Sequence, residues 1–371
     1  MTNKVSTILA GFLAILFLCL VYVGWLYYEE NGHHAARRVE VKIPPGMTLH
    51  QVQDLLVEKG LLDRPTLFRW VAWISGKENK LKTGRYLIRQ GESVSSILGK
   101  LSRGEVAYSR VVIPEGFMLH EIAALLDEHV DVDSTAFHDL ALDRSFVREL
   151  GFDAPSLEGY LFPDTYLFDW PLTAREAAQR MTHRFREIYE SEVAQIADST
   201  SFSRIEVVTL ASIIQAEAVW DSEMPHISAV YHNRLDKGWR LEADPTVAYA
   251  LGGVRRRLYY RDLRVESPYN TYRRKGLPPG PICSPGIMAL RAAVEPLEGC
   301  RDLYFVANGG GRHHFSKTLA EHLDVQRRIK AAKRAEREPA EPAASEEDSL
   351  KALELPPLGG IPKQSVSASE E

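Results

Sequence analysis

The residue best suited to acid/base chemistry is Glu217, the sole carboxylate in the apolar stretch 207–220, VVTLASIIQAEAVW. A helix of this composition is apolar on most faces and should lie in the centre of a domain. Glutamate is seldom buried unpaired, and desolvation raises a carboxyl pKa towards neutrality, where the group can give and retake a proton. Cleavage of a glycosidic bond requires such a group. From this helix alone, pairing with an arginine or a position at the exposed helix end explains Glu217 equally well.

Four other segments could form a cleft around this carboxyl group. They are residues 157–166 (LEGYLFPDTY), 244–246 (DPT), 267–272 (SPYNTY) and 276–282 (GLPPGPI). Such segments supply aromatic faces that pack against pyranose rings, and amides and hydroxyls that bind sugar hydroxyls. Each segment alone could be a structural turn, but together they favour a sugar-binding cleft.

The elements that must position these residues are a mixture of helices and strands. The apolar periodicity predicts helices over residues 173–196 and 204–219, and a third helix from near Pro225 to Gly238. Residues 244–285 are rich in Pro, Gly, Tyr and Asn, which predicts ordered loops around the site. Residues 309–311 (GGG) predict a hairpin turn, because no Lys-Ser/Thr follows to complete a phosphate-binding loop.

Upstream of this region, a short strand, a glycine turn and an amphipathic helix follow one another three times. The three copies cover residues 39–62, 85–101 and 111–126. The copies are too few and too irregular for a solenoid. A compact α+β domain without a ligand accounts for the pattern, and a wall-binding module of the LysM type, which the order resembles, is the alternative.

The N-terminal segment 8–28 contains no charged residue and is long enough to cross a hydrocarbon core of about 30 Å as a helix. We predict a cytoplasmic head and single transmembrane anchor over residues 1–28, with the rest of the chain translocated, and a linker over residues 29–38. A cleaved secretory signal is the alternative, but no small-x-small site follows promptly. The composition of residues 331–371 predicts a disordered tail.

The 371 residues, 45% hydrophobic and 26% charged, suggest two compact domains, which we place at residues 39–108 and 109–330. A net charge of -5 offers no basic field for a polyanion, so nucleic acid is not an expected partner. Cys283 and Cys300 are a possible pair whose spacing neither requires nor excludes a disulfide. His120 and Glu121 begin a zinc-protease pattern that Ala124 leaves incomplete, and no serine acyl-transfer motif occurs.

Several motifs, taken in order, resemble the MltG-type (YceG-like) endolytic murein transglycosylase family. The most specific are residues 211–217 (ASIIQAE), 244–246, 269–272 (YNTY) and 276–282, and residues 304–308 (YFVAN), Phe315 and 318–322 (TLAEH) continue the match. The resemblance implies a LysM-like subdomain before an α+β catalytic domain, and a single-pass anchor in the inner membrane with the catalytic domain outside. It also implies a role in ending glycan-strand growth, with peptidoglycan strands as substrate and peptidoglycan synthases as possible partners.

Two departures from the family pattern bear on the site. The family often has two glutamates where this chain has Gln215 and Glu217, so only Glu217 matches the catalytic acid. The family tends to have Ala-Asn where this chain has Cys283 and Ser284, and Ser284 keeps a hydrogen-bonding group.

The resulting prediction is an α+β lytic transglycosylase in which Glu217 protonates the glycosidic oxygen and then deprotonates the muramoyl 6-hydroxyl. The product is a 1,6-anhydro sugar, and no metal or organic cofactor is expected. Predicted substrate contacts are Glu158, Asp164, Tyr166, Asp244, Thr246, Asn270, Thr271, Tyr272, Pro279 and Ser284. Two alternatives are a hydrolytic muramidase with Asp244 or Asp164 as second carboxylate, and a non-enzymatic scaffold that binds the wall through the repeats.

Overall fold

The computed structural model describes residues 11–15, 17–18, 21–22, 24 and 37–335. Most of the predicted anchor, the predicted linker up to residue 36 and the tail from residue 336 lie outside these residues. Over the described ranges, no helix is both long and apolar enough to span a membrane. The last helix continues to Ala335, beyond the start predicted for the tail.

The N-terminal unit combines a two-stranded sheet with three helices. Its elements in chain order are β1 (Arg38–Ile43), α1 (Leu49–Glu58), α2 (Pro65–Ile74), β2 (Gly84–Arg89) and α3 (Val94–Arg103). The strands pair antiparallel, with Val41 opposite Tyr86. Both of these residues are buried in an apolar cluster that is separate from the core of the rest of the chain.

The C-terminal unit is a larger mixture of helices around a second apolar cluster. Its helices are α4 (Leu119–Val130), α5 (Ser134–Leu142), α6 (Arg144–Glu149), α7 (Ala174–Glu192), α8 (Ala194–Ala197), α9 (Arg204–Glu217), α10 (Met224–Asp236), α11 (Asp244–Ala250), α12 (Ile287–Val294) and α13 (Leu319–Ala335). Two antiparallel pairs complete it: β3 (Ser109–Val112) with β4 (Thr165–Phe168), and β5 (Tyr304–Gly309) with β6 (Arg312–Ser316). The mixed α+β class predicted from the sequence is confirmed.

The three predicted strand-turn-helix copies are present, and they share one turn geometry. Gly46, Gly91 and Gly116 adopt φ of +82°, +83° and +75°, a conformation that glycine enters without steric cost. In each copy the helix begins three residues after the glycine. The third copy nevertheless belongs to the C-terminal unit, because β3 pairs with β4 and its side chains enter the second cluster.

Helix α9 lies at the centre of the C-terminal unit, as its composition predicts. All eight residues from Val207 to Ile214 are buried, and burial of each large apolar side chain contributes about 1.5–3 kcal/mol. A capping box fixes the start of the helix, since Ser203 N donates to Glu206 Oε2 at 2.8 Å. The helix ends at Glu217, because Ala218 turns to extended backbone.

Two details of the prediction change around this core, and a third is confirmed. The helix expected over residues 173–196 is interrupted at Val193 and becomes α7 and α8. Asp244 begins helix α11 instead of a turn, because Pro245 suits the first turn of a helix. The hairpin turn predicted at residues 309–311 is confirmed as the connection between β5 and β6.

Candidate active site

A cleft of about 500 Å³ opens where α9 ends. Strand β5 and helix α13 line part of it, and the start of α11 and Tyr272 line another part. The lining residues are Glu217, Arg234, Glu242, Asp244, Tyr272, Tyr304, Phe305, Val306, Ala307, His313, Leu319, His322, Leu323 and Gln326. The cleft therefore combines the carboxyl groups of Glu217, Glu242 and Asp244 with aromatic surface, a combination suited to sugar rings.

Glu217 is the last residue of α9, so the buried helix carries its half-buried side chain to the cleft. The pKa of the Glu217 carboxyl is raised to about 7. Burial is the largest cause, the hydrogen bond from Tyr231 opposes it, and the smaller effects are an increase from the Asp244 charge and a decrease from the Arg234 charge. Near neutral pH both protonation states are populated. One group can therefore act first as acid and then as base.

Tyr231 holds the Glu217 carboxyl from the neighbouring helix α10. Its hydroxyl donates to Glu217 Oε1 at 3.0 Å. Burial raises the pKa of the Tyr231 phenol well above its ordinary value, so the phenol remains a proton donor throughout the physiological range. The bond favours the carboxylate over the acid and fixes the direction of one carboxyl oxygen.

Arg234, one turn further along α10, is buried and binds backbone carbonyls. Its Nε donates to Leu303 O at 2.7 Å, and its Nη1 donates to Leu241 O at 2.8 Å. These bonds tie α10 to the segments that enter β5 and α11. Among the described residues Glu217 forms no ion pair with an arginine, so a neutralising pair does not account for its position.

Asp244 and Tyr272 reach the cleft together. The Tyr272 hydroxyl donates to Asp244 Oδ1 at 2.7 Å, which places the Asp244 carboxylate at the mouth of the cleft, where its charge acts on Glu217. These two are the predicted substrate contacts that line the cleft with Glu217.

Three further predicted contacts lie beneath the loops and hold them in place. Thr246 Oγ1 and Thr271 Oγ1 are 2.9 Å apart and fully buried, and Ala243 N donates to Thr271 Oγ1 at 3.0 Å. Asn270, also fully buried, donates through Nδ2 to Val265 O at 2.8 Å. Their polar groups are satisfied by protein, so they position Asp244 and Tyr272, and the assignment to substrate contact is not supported.

The remaining five predicted contacts lie outside the cleft. Asp164 accepts from Arg184 Nε at 2.8 Å, and the buried Tyr166 donates to Phe162 O at 2.6 Å. Tyr166 belongs to β4, and Asp164 directly precedes that strand. These bonds give each residue a structural partner, and the assignment to substrate contact is again not supported.

Glu158, Pro279 and Ser284 are the other three. Glu158 is buried and accepts from Leu119 N at 3.0 Å, and burial raises its pKa to about 8. Pro279 is exposed away from the cleft lining. Ser284 is fully buried, and its backbone N donates to Phe117 O at 2.8 Å. Its hydrogen bonds join two loops, and the predicted sugar contact through this residue is not supported.

Gln215, the departure from the family pattern, has a structural role on another side of α9. Its Oε1 accepts from Gly286 N at 2.9 Å, and its side chain also hydrogen-bonds Glu115. A Cβ on Gly286 would overlap the Glu115 carboxyl group, so the three residues are closely packed. The amide supplies a donor and an acceptor where a glutamate would place a second negative charge beside Glu115.

Sequence reasoning missed Tyr231 and Arg234, which complete the surroundings of Glu217. The available signal was their spacing, since residues three apart on a helix share a face. It also assigned no role to His313, which lines the cleft and whose Nδ1 lies 3.0 Å from Glu223 Oε2.

The only group of possible metal ligands within the described ranges lies outside the cleft lining. His226 Nε2 is 2.7 Å from Asp302 Oδ2, and Cys300 Sγ is 3.6 Å from the same oxygen. The histidine and aspartate already satisfy each other as a hydrogen-bonded pair. Cys283 and Cys300 are both free thiols, so the possible disulfide between them is absent from this structure.

Comparison with known proteins places this geometry in context. Residues 41–328 match the family model described as the YceG-like family. An endolytic murein transglycosylase of Bacillus subtilis (strain 168) is 31% identical over 314 residues, which cover 80% of this chain and 86% of that protein. An endolytic murein transglycosylase of Streptococcus pneumoniae (strain D39) is 25% identical over 367 residues, covering 87% of this chain and 66% of that protein.

A solved structure agrees with these sequence matches. The crystal structure of a yceG-like protein from Listeria monocytogenes is similar to this fold with a TM-score of 0.55 and 31% sequence identity. The similarity covers 78% of this chain and 100% of that one.

Proposed function

The chain belongs to the YceG-like family, and from this membership we propose that it is an endolytic murein transglycosylase with Glu217 as its acid/base catalyst. It acts on the cell wall and cuts peptidoglycan glycan strands at internal bonds between N-acetylmuramic acid and N-acetylglucosamine. The observation that carries the assignment of Glu217 is its carboxyl in the cleft, with a pKa of about 7 and a hydrogen bond from Tyr231.

In the first step, protonated Glu217 donates its proton to the glycosidic oxygen, and the bond from C1 of the muramoyl residue to that oxygen breaks. A carboxyl group with a pKa near the working pH is the most effective proton donor. The N-acetylglucosamine leaves with the proton as a free hydroxyl end. The cleft supplies Tyr304 and Phe305 as aromatic surface for the neighbouring rings.

In the second step, the Glu217 carboxylate accepts the proton of the muramoyl 6-hydroxyl, whose oxygen bonds to C1. The product is a 1,6-anhydro end, no water is consumed, and Glu217 is again protonated. Because the nucleophile belongs to the same sugar, it is already positioned, and a second carboxylate to activate water is unnecessary. The role of Asp244 is then electrostatic, since its charge keeps the pKa of Glu217 high.

The rival hydrolytic mechanism needs a second catalytic carboxylate. Asp164 is engaged by Arg184 and does not line the cleft, whereas Asp244 does. A muramidase would therefore rely on Asp244, although its Oδ1 is already hydrogen-bonded by Tyr272. A non-enzymatic scaffold that binds the wall through the repeats does not require a carboxyl group with a raised pKa in this cleft.

The same proposal extends to the location of the enzyme. The uncharged run 8–28 anchors the chain in the cytoplasmic membrane by a single pass, with the catalytic unit on the extracytoplasmic side. The N-terminal unit is a LysM-like subdomain, and the enzyme ends the growth of nascent strands near peptidoglycan synthases. Fractionation tests the anchor: full-length chain should stay with membranes in high salt, and a soluble mature form beginning after residue 28 would contradict it.

The test of the catalytic assignment is Glu217→Gln on purified peptidoglycan. The amide keeps the shape and the bond from Tyr231 but has no transferable proton, so the rate should fall by roughly 10² to 10⁴. The melting temperature should not fall. Asp164→Asn is the matched control, a charge removal outside the cleft that should preserve most of the activity. An active Glu217→Gln enzyme would remove this residue from the mechanism.

A further inference from the structure

A second groove, of about 840 Å³, adjoins the cleft. The two share Asp244 and Tyr272, so a ligand can pass from one to the other without leaving the surface. The rest of the groove comes from a single loop between α11 and residue 264, which contributes Arg257, Leu258, Tyr259, Tyr260, Arg261 and Leu263. Its size is that of a whole ligand-binding site, larger than a single carboxylate needs.

This loop is held in shape by an ion pair between the exposed Arg256 and the buried Asp262. Arg256 Nη1 and Nη2 bind the two oxygens of Asp262 at 2.6 and 3.2 Å, and Tyr259 N donates to the same carboxylate at 2.8 Å. Bidentate pairs of this kind fix side-chain direction. Asp262 is thereby bound to Arg256 and to the loop backbone, and its charge also acts on Arg261 without forming an ion pair with it.

The exposed side of the loop carries positive charge and aromatic surface. The Arg257 side chain is exposed and forms no hydrogen bond or ion pair with any residue in the described part of the chain, and the Arg257 backbone carbonyl accepts from Arg256 Nη1 at 3.0 Å. Arg261 lies over the Tyr259 ring at 5.3 Å. Tyr260 is 90% exposed. Two arginine side chains that form no ion pair among the described residues, beside tyrosine rings, are suited to an acidic and partly apolar ligand.

We propose that this groove binds the carboxylates of the peptide carried by the muramoyl residue next to the cleaved bond. The inference rests on the proposed function. A sugar in the cleft directs its substituent outwards, and the groove begins at Asp244 and Tyr272, where the cleft opens. A stem peptide is a chain of several residues with more than one carboxylate, which matches both the length of the groove and its charge.

The experiment compares two substrates of equal strand length: glycan strands with their peptides and strands from which an amidase has removed them. Hydrolysis of the amide between the lactyl group and the peptide frees the lactyl carboxylate, so the second kind carries the sugar's own acid without the peptide. The variants are Arg257→Gln, Arg261→Gln and the double variant. Arg148→Gln, an exposed charge on α6 outside the groove, is the matched control.

For the wild type, KM should be lower on peptide-bearing strands than on peptide-free strands. Each single variant should raise KM on peptide-bearing strands by roughly threefold and the double variant by about tenfold, the size of partly exposed charge contacts. For the groove variants, kcat and the KM on peptide-free strands should stay within about twofold of the wild-type values, roughly the error of such constants. For the control Arg148→Gln, KM and kcat on both substrates should stay within the same limit, about twofold.

Two outcomes overturn the proposal. A rise in KM on peptide-free strands that equals or exceeds the rise on peptide-bearing strands would assign the arginines to the glycan or to its free lactyl carboxylate, and unchanged KM on both substrates would leave them without a ligand. Neither outcome touches the proposed function, because anhydro products would still form and Glu217→Gln would still be inactive. Failure of the proposed function would instead appear as hydrated products or as an active Glu217→Gln enzyme.

Discussion

Replacing Tyr231 with phenylalanine tests the electrostatic account of the site. Tyr231 is 1% exposed, and phenylalanine fills the same space, so the change removes little besides the hydroxyl. The hydroxyl donates to Glu217 Oε1 at 3.0 Å and lowers the pKa of that carboxyl. Without it, the carboxylate loses its one protein hydrogen bond among the described residues, and the pKa of Glu217 must rise.

The size of this rise follows from the strength of the bond. Hydrogen bonds to charged groups contribute about 1.5–3 kcal/mol, and about 1.4 kcal/mol corresponds to one pKa unit. The hydroxyl can also donate to the protonated acid, so the lower end of this free-energy range applies. We expect the pKa of Glu217 to move from about 7 to roughly 8. The plateau rate should fall by about tenfold at most, since a weaker acid gives its proton less readily.

The assay is the pH dependence of kcat/KM for release of anhydro ends. In the proposed mechanism the first step needs protonated Glu217 in the free enzyme, so activity should fall as pH rises through its pKa, and the alkaline limb should move upwards by about one pH unit. Tyr86→Phe is the control, because Tyr86 is equally buried and its hydroxyl donates to Lys82 O at 2.7 Å in the N-terminal unit. An unmoved or lowered limb in Tyr231→Phe would refute the reasoning.

Three other perturbations have definite expected results. Asp244→Asn removes a charge that raises the pKa of Glu217, so the alkaline limb of kcat/KM should move downwards, and more activity should remain than in Glu217→Gln; an upward shift would contradict this. Glu158 has a folded-state pKa of about 8, well above that of an unfolded glutamate, so wild-type stability falls as pH rises from about 4.5 towards 8. Glu158→Gln keeps an acceptor for Leu119 N and removes this pH-dependent loss of stability, which amounts to a few kcal/mol at most. The difference in melting temperature between the variant and the wild type should therefore increase from pH 5 to pH 8. A pH-independent difference would show that the raised pKa is wrong. Deleting residues 336–371 should leave activity and melting temperature unchanged, because the composition cannot bury enough apolar surface to offset ordering, and a drop in either would show that the tail docks.

The position of Glu217 could be predicted from the sequence because the composition of α9 is compatible with only one location, the core of the domain. A helix that is apolar on nearly all faces must lie in the core, and a carboxylate at its end then reaches the surface of that core. The glycine turns and the hairpin could also be predicted from the sequence, since their conformations depend on residues that are adjacent in the chain. Local patterns of this kind are strong wherever a few adjacent residues decide the conformation.

The roles of the loop residues could not be predicted in the same way. Thr246 and Thr271 are far apart in sequence, yet their hydroxyls are 2.9 Å apart in the core. Nothing in either segment shows whether a threonine points to the cleft or to the protein, because that depends on the long-range packing of the loops. Asp164 likewise lies in a segment with the composition of a binding site, but its partner is Arg184 of helix α7, which is distant in sequence.

The pairing of the third repeat shows the same limit at the level of the fold. Its strand, β3, has the same turn as β1 and β2 but finds its partner in β4, which follows two more helices. Periodicity identifies the unit and cannot identify the partner strand. The pairing of β3 with β4 therefore became visible only in three dimensions.

The most direct test of the central claim is the mass of the products formed from intact glycan strands in water labelled with heavy oxygen. If the muramoyl 6-hydroxyl attacks C1, the new muramoyl ends are anhydro sugars, one water lighter than reducing ends and free of label. They should be absent from Glu217→Gln digests. Labelled, reducing muramic acid ends as the main product would contradict the transglycosylase mechanism and favour water activation by a second carboxylate.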